Sequence, residues 1–174
     1  MATTSLMDFA QFEQLAIPTG AHLELHHGEV VTMTTPKLKH RLTQRNLRRL
    51  IEEASPEAYV DTEVGFRPLP DHEYWEADVA YLTAERFREA DPEKNIEGSP
   101  DIVIEVLSPS NTAEEMLDRE QTCLKSGSRE FWIVDPRRHR IRVIGNDSMK
   151  TYERGQQVFS IMNFYIKVDD VFRY

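Results

Sequence analysis

SPDIVIEVLSPS, residues 99 to 110, decides how this chain is read. Ile102 to Leu107 is an almost unbroken apolar run held between Pro100 and Pro109, the pattern of a central strand covered on both faces. Glu105 interrupts that run. An ionised carboxylate in such a place costs several kcal/mol, roughly, unless a cation or strong donors compensate it. A salt bridge or a hydrogen-bonded core acid would account for a lone glutamate there.

Asp78 changes that balance. It lies in EADVAYL, residues 76 to 82, a second apolar strand. Two acids on adjacent core strands repel each other unless positive charge lies between them. A hard divalent cation with oxygen ligands, Mg²⁺ first, answers that need. The alternative is two independent acids at strand ends.

Outward from these strands, Ser5 to Ala16 places Leu6, Phe9, Phe12 and Leu15 at spacing three, with Ser5 and Asp8 positioned like a capping box. Leu23 to Met33 alternates around His27-Gly28, a hairpin signal. Lys37 to Ala54 reads as a long helix with a basic outer face. Ala58 to Phe66 and Ala77 to Leu82 read as strands. Thr112 and Glu115 form a capping box that opens a helix ending near Gly127. Phe131 to Val134 is a further buried strand, turned by Asp135-Pro136 into Arg140 to Ile144. Short strands and a closing helical turn fill 152–174. This order predicts one α/β (α+β) domain over residues 1–174, a mixed central sheet flanked by helices.

SPDIVIEVLSPS, the helix after it, and SREFWIVDP at 128–136 together resemble the Uma-type endonuclease family of the PD-(D/E)xK, restriction-endonuclease-like superfamily. ELHHGEVVTM near the start, His40 and ADVAYL fit the same pattern, and the likeness runs from about Leu23 to Ile144. The resemblance implies that Asp78 and Glu105 bind Mg²⁺ or Mn²⁺ and that the substrate is duplex DNA. At Asp78 the usual preceding proline is Ala77, and two residues after Glu105, where the superfamily often has lysine, stands Leu107. The family expects a helix lysine instead. In EEMLDREQTCLKSG, counting back from Gly127 points to Arg119, and aligning on DRE points to Gln121. Arginine supplies charge but not a base, and glutamine only positions water.

Glu29, after the Gly28 turn, could reach the metal through water or stand as a solvated hairpin acid. Lys37, Lys39, His40, Arg41 and Arg45 are candidate phosphate contacts. Asp101 reads as a strand-start acid, and Ser108 and Ser110 as turn caps. A catalytically inactive nuclease-fold protein, binding DNA or serving as a dimeric structural unit, is the rival reading.

The 174 residues carry 40 % hydrophobic and 29 % charged residues, too apolar for general disorder. The net charge of −9 does not favour a nucleic-acid partner, although a local basic face can override it. Arg137, Arg138, Arg140 and Arg142 make a second basic run. One cysteine, Cys123, and no leader or spanning run give the expectation of a cytoplasmic protein with no membrane partner. An apolar strand at SREFWIVDP, taken to lie near a sheet edge, gives the expectation of a homodimer.

Overall fold

The computed structural model describes residues 6–17 and 19–174. The proposed cap residue Ser5 lies outside that range. The first helix, α1 (Phe9–Glu13), is instead capped by Asp8, whose carboxylate takes the Gln11 amide while the Gln11 side chain takes the Asp8 N–H. The hairpin β1 (His22–His26) and β2 (Glu29–Met33) closes through His27 and Gly28, both at positive φ. That is the pairing a two-residue hairpin turn demands. α2 (Leu38–Ala54) follows.

The central sheet begins with β3 (Tyr59–Arg67) and β4 (Trp75–Leu82). A short helix α3 (Ala84–Glu89) and a two-residue strand β5 (Ile96–Glu97) come next, neither expected from the sequence. Then follow β6 (Ile102–Val106), α4 (Ala113–Lys125), β7 (Glu130–Asp135) and β8 (Arg140–Ile144). β9 (Met149–Tyr152), β10 (Gln157–Phe159), β11 (Tyr165–Lys167) and α5 (Val168–Val171) complete the chain.

Seven strands form one mixed sheet in the order β5-β3-β4-β6-β7-β8-β9. β6 and β7 run parallel, and a parallel pair needs a crossover, which α4 supplies. Thr112 and Glu115 cap α4 reciprocally, as the sequence predicts. Ile102, Ile104 and Val106 face one side with Leu47 and Ile51 of α2, and Val103 faces the other with Met116 and Cys123 of α4. Each face of β6 is therefore covered by a helix, which is why IVIEVL is nearly continuously apolar.

β7 is not near an edge. It is paired on both sides, by β6 and β8, and the open edges of the sheet are β5 and β9. An apolar strand reads alike in sequence whether a helix or a neighbouring strand covers it, and here both do. The edge argument for a dimer fails at that strand.

Candidate active site

Asp78 sits at a break in the sheet. The β4–β6 ladder stops at Val79↔Ile104, one position short of Asp78. On the other side, β3 pairs at Thr62↔Val79 and Val64↔Ala77, while Glu63 between them has φ 55°, left-handed backbone unusual for a residue with a side chain. β4 exchanges faces here. Trp75 and Ala77 pack with the α4-side cluster, and Val79 and Tyr81 with the α2-side cluster. The carboxylate takes over a ladder duty: Oδ2 accepts the Val106 N–H at 2.7 Å. β4 and β6 thus fork, with Asp78 on one tine and Glu105 on the other.

α2 addresses Asp78 with two side chains four residues apart, hence on one helix face. Gln44 Nε2 donates to Asp78 Oδ1 at 2.9 Å. His40 Nε2 lies 2.9 Å from the Val106 carbonyl oxygen and 3.2 Å from Asp78 Oδ2. Both neighbours are acceptors, so that nitrogen carries the proton. Burial lowers the His40 pKa, but the hydrogen bond and charge of Asp78 outweigh it and the net shift is upward. His40 Nδ1 is buried with no partner among the described residues.

α4 addresses Glu105. Arg119 is buried, and its guanidinium reaches Glu105 Oε1 at 3.0 Å, Glu24 Oε2 at 2.9 Å and the Glu76 carbonyl at 2.8 Å. It also lies over the Trp75 ring, 5.1 Å from the centroid. Burial works against its charge, yet Glu105 and Glu24 together raise its pKa, so it remains a cation. Counting back from Gly127 therefore finds the residue that reaches Glu105. Gln121 is exposed on α4 and lies outside the site.

Glu24 went unread as a site residue although it opens ELHHGEVVTM. It is 1 % exposed and accepts the Glu76 N–H at 2.7 Å, both Arg119 contacts and His26 Nε2 at 2.5 Å. The signal was present: an acid between Leu23 and Leu25 in an alternating strand, with Leu25 fully buried. Burial would raise the Glu24 pKa, but Arg119 first and then His26 and the Glu76 amide bring it down to about 2. Glu105 goes the other way. Burial pushes it up to about 8, Arg119 only partly opposes this, and the charges of Asp78 and Glu24 add to the rise. One arginine serves two buried carboxylates, and Glu24 holds the better share.

Glu29 is exposed on β2, opposite His26, and has no hydrogen bond or ion pair with Asp78 or Glu105 among the described residues. Glu29 is the solvated acid of the hairpin, and its inward-facing acid is Glu24. His40 points inward to the fork and away from the basic outer face of its helix. Lys37, Lys39, Arg41 and Arg45 are exposed, as expected of a surface face. Asp101 is buried and accepts the Thr83 N–H at 2.9 Å, a strand-start role. Ser108 and Ser110 bond each other in the turn after β6.

No ligand set of three or more His, Cys, Asp and Glu groups is present among the described residues. The fork nonetheless suits a cation that needs only one or two carboxylates and keeps water for its other positions, which describes Mg²⁺. Glu105 Oε2 accepts no hydrogen bond among the described residues, and burial, with the charges of Asp78 and Glu24, disfavours ionised Glu105 more than Arg119 favours it, so added positive charge at the fork would be favourable.

A mixed sheet whose central strands fork to present an aspartate and a glutamate, with a cation from the following helix, defines a restriction-endonuclease-like nuclease fold. The chain belongs to the family described as "Uma2: Putative restriction endonuclease", which matches residues 9–164. A crystal structure described as "a putative nuclease belonging to DUF820" from Anabaena variabilis shares this fold at TM-score 0.80. Its sequence is 19 % identical, and the alignment covers 95 % of this chain and 97 % of that one. No curated protein matches the chain. No helix among the described residues is long and apolar enough to cross a membrane.

Proposed function

We propose that this chain is a metal-dependent endonuclease that hydrolyses phosphodiester bonds of duplex DNA, with Asp78 and Glu105 holding Mg²⁺ or Mn²⁺. The observation that carries this reading is the fork itself: two acids on adjacent central strands where the β4–β6 ladder stops, Glu105 backed by a buried cation. When bound, the metal would polarise the phosphate and lower the pKa of an attached water.

The chain's own residues do the rest. Val106 N–H and Gln44 fix the orientation of the Asp78 carboxylate. Arg119 fixes Glu105 and offsets negative charge that grows as water attacks phosphorus and the P–O bond breaks. Arg119 cannot take the water's proton, because its pKa stays above ~12. Lys37, Lys39, Arg41 and Arg45 would contact the phosphate backbone, while His40 serves from inside the fork.

One observation favours the rival, inactive DNA-binding reading: every nitrogen of Arg119 is either committed to protein acceptors or, as Nε, buried without a partner. Conversion of supercoiled plasmid to nicked or linear DNA decides between them, measured with Mg²⁺, with Mn²⁺ and with EDTA. The wild type is expected to cut slowly with metal and Asp78→Asn not at all. Folded wild type that cuts with neither metal would refute the endonuclease reading. Homodimerisation remains part of the proposal, now through the open edge β9, and light scattering at micromolar concentration tests it.

A further inference from the structure

We propose that the β7–β8 turn and the β9–β10 loop, through Arg137, His139 and Arg154, form a second contact for the phosphate backbone of duplex DNA. This platform continues the basic N-terminal half of α2, and the inference rests on the DNA-directed reading above.

The cations of α2 divide into two sets. Toward its C-terminal end, Arg48 pairs with Glu52 and Asp61, and Arg49 with Glu53. Toward its N-terminal end, Lys37, Lys39 and Arg45 have no carboxylate within salt-bridge distance among the described residues; Arg41 alone meets Glu63, at 3.3 Å. The same division holds beyond the helix. Arg138 is matched by Asp135 and Arg173 by Asp170, each at 3.0 Å, whereas Arg137 and Arg154 are exposed and unmatched among the described residues. Lys37, Lys39, Arg45, Arg137 and Arg154 are exposed cations without a salt bridge among the described residues, and contacts made by the C-terminal residues link several of them.

The C-terminal residues join the two groups. Tyr174 bonds Thr43 of α2 at 2.8 Å and lies under Lys39, 5.6 Å from the ammonium to the ring centroid. Phe172 stacks on His139 at 4.8 Å, 9° from parallel. The Arg154 guanidinium touches His139 Nδ1. Burial and the nearby charges of Arg154 and Lys39 keep the His139 pKa below its usual value, so this imidazole is a neutral acceptor between like charges. The acids nearby are already engaged, Asp135 with Arg138 and Asp169 with the Gly155 N–H, so the remaining cations face an anion, and a row of phosphates supplies several at once.

Placement relative to the fork fits a duplex. Glu105 is paired with Ile133 of β7, and the strand continues to Asp135 before the turn. Two strand residues from Ile133 to Asp135, at ~3.3 Å each, put the start of the turn roughly 7 Å beyond the fork. At ~3.4 Å per nucleotide along one strand that is about two base steps from the scissile phosphate.

The test is fluorescence anisotropy of a 20-base-pair duplex titrated with protein in Ca²⁺ across a range of NaCl. Each phosphate contact contributes about 0.9 to the slope of log affinity against log salt. Arg137→Gln/Arg154→Gln is expected to lower that slope by about 2 and to weaken binding uniformly across duplex sequences. Lys37→Gln/Lys39→Gln is the comparison for the helix. If the helix pair lowers the slope and the Arg137/Arg154 pair does not, the second platform is refuted while the DNA-directed reading survives. If the wild type binds no duplex at any salt, both fail together. Equal affinity and slope for duplex RNA would overturn the assignment to DNA.

Discussion

Glu105→Gln in metal-free protein probes the site without requiring catalysis. Burial, with help from Asp78 and Glu24, holds the Glu105 pKa at about 8 in the folded chain, against an ordinary 4.5. Between those values the folded state binds a proton that the unfolded state has released. Stability is therefore fully present below about 4.5 and is lost as pH rises through 8, at about 1.4 kcal/mol per pH unit at most. Over the whole window the loss reaches several kcal/mol, on the order of a small domain's total stability. Glutamine keeps an oxygen for Arg119 and removes the titration. Measured by urea unfolding in EDTA, Glu105→Gln should match the wild type near pH 5 and exceed it progressively toward pH 8. His40 and Glu24 titrate in both proteins, so the difference isolates Glu105. Saturating Mg²⁺ should then stabilise the wild type and leave the variant unmoved. A difference that stays flat or reverses sign between pH 5 and 8 would refute the uncompensated charge at the fork.

Asp78→Ala should move stability the opposite way, losing roughly 1–3 kcal/mol, because the Val106 N–H is left without its acceptor; chemical denaturation in EDTA reads this, and unchanged or increased stability counts against the ladder role of Asp78. Glu24→Gln should cost about 3 kcal/mol at neutral pH, a deficit that vanishes as the pH falls from 4.5 toward 2, since a depressed carboxylate stabilises the fold above its unfolded pKa and loses that contribution on protonation. Arg119→Lys is expected to raise the plasmid-cutting rate and Gln121→Lys to leave it unchanged; a rise only at position 121 would contradict the placement of Arg119 at the fork.

The strands were legible in the sequence because apolar content and period fix them. IVIEVL, EADVAYL and the capping box of α4 all fall where the residues place them. α3 and β5 were not, because neither presents a buried face of its own: α3 buries no residue, and β5 pairs over only two positions. Sheet order was illegible for a different reason. An apolar strand records that it is covered, not by what, so β7 could not be distinguished from an edge strand under a helix. Asp78 and Glu105 were legible because each is an acid inside an apolar run. Glu24 has the same signature in a shorter run beside a turn, and the more conspicuous Glu29 drew attention from it.

The arginine at position 119 follows from the geometry that also hides Glu24. A lysine ammonium is a single point of charge, whereas a guanidinium offers five donors in a fixed fork. Arg119 uses that fork to hold Glu24 at 2.9 Å, Glu105 at 3.0 Å and the Glu76 carbonyl at 2.8 Å simultaneously. Glu24 in turn ties β1 to β4 through the Glu76 amide, so the guanidinium joins the hairpin, both tines of the fork and α4 in one buried network. Replacing the expected lysine with arginine therefore trades a group able to release a proton for one that cross-links the site. Any base that the reaction needs must then lie elsewhere at the fork. His40 does not fill that place: its protonated Nε2 faces Asp78 and the Val106 carbonyl, and its Nδ1 is shut off from solvent without a partner among the described residues.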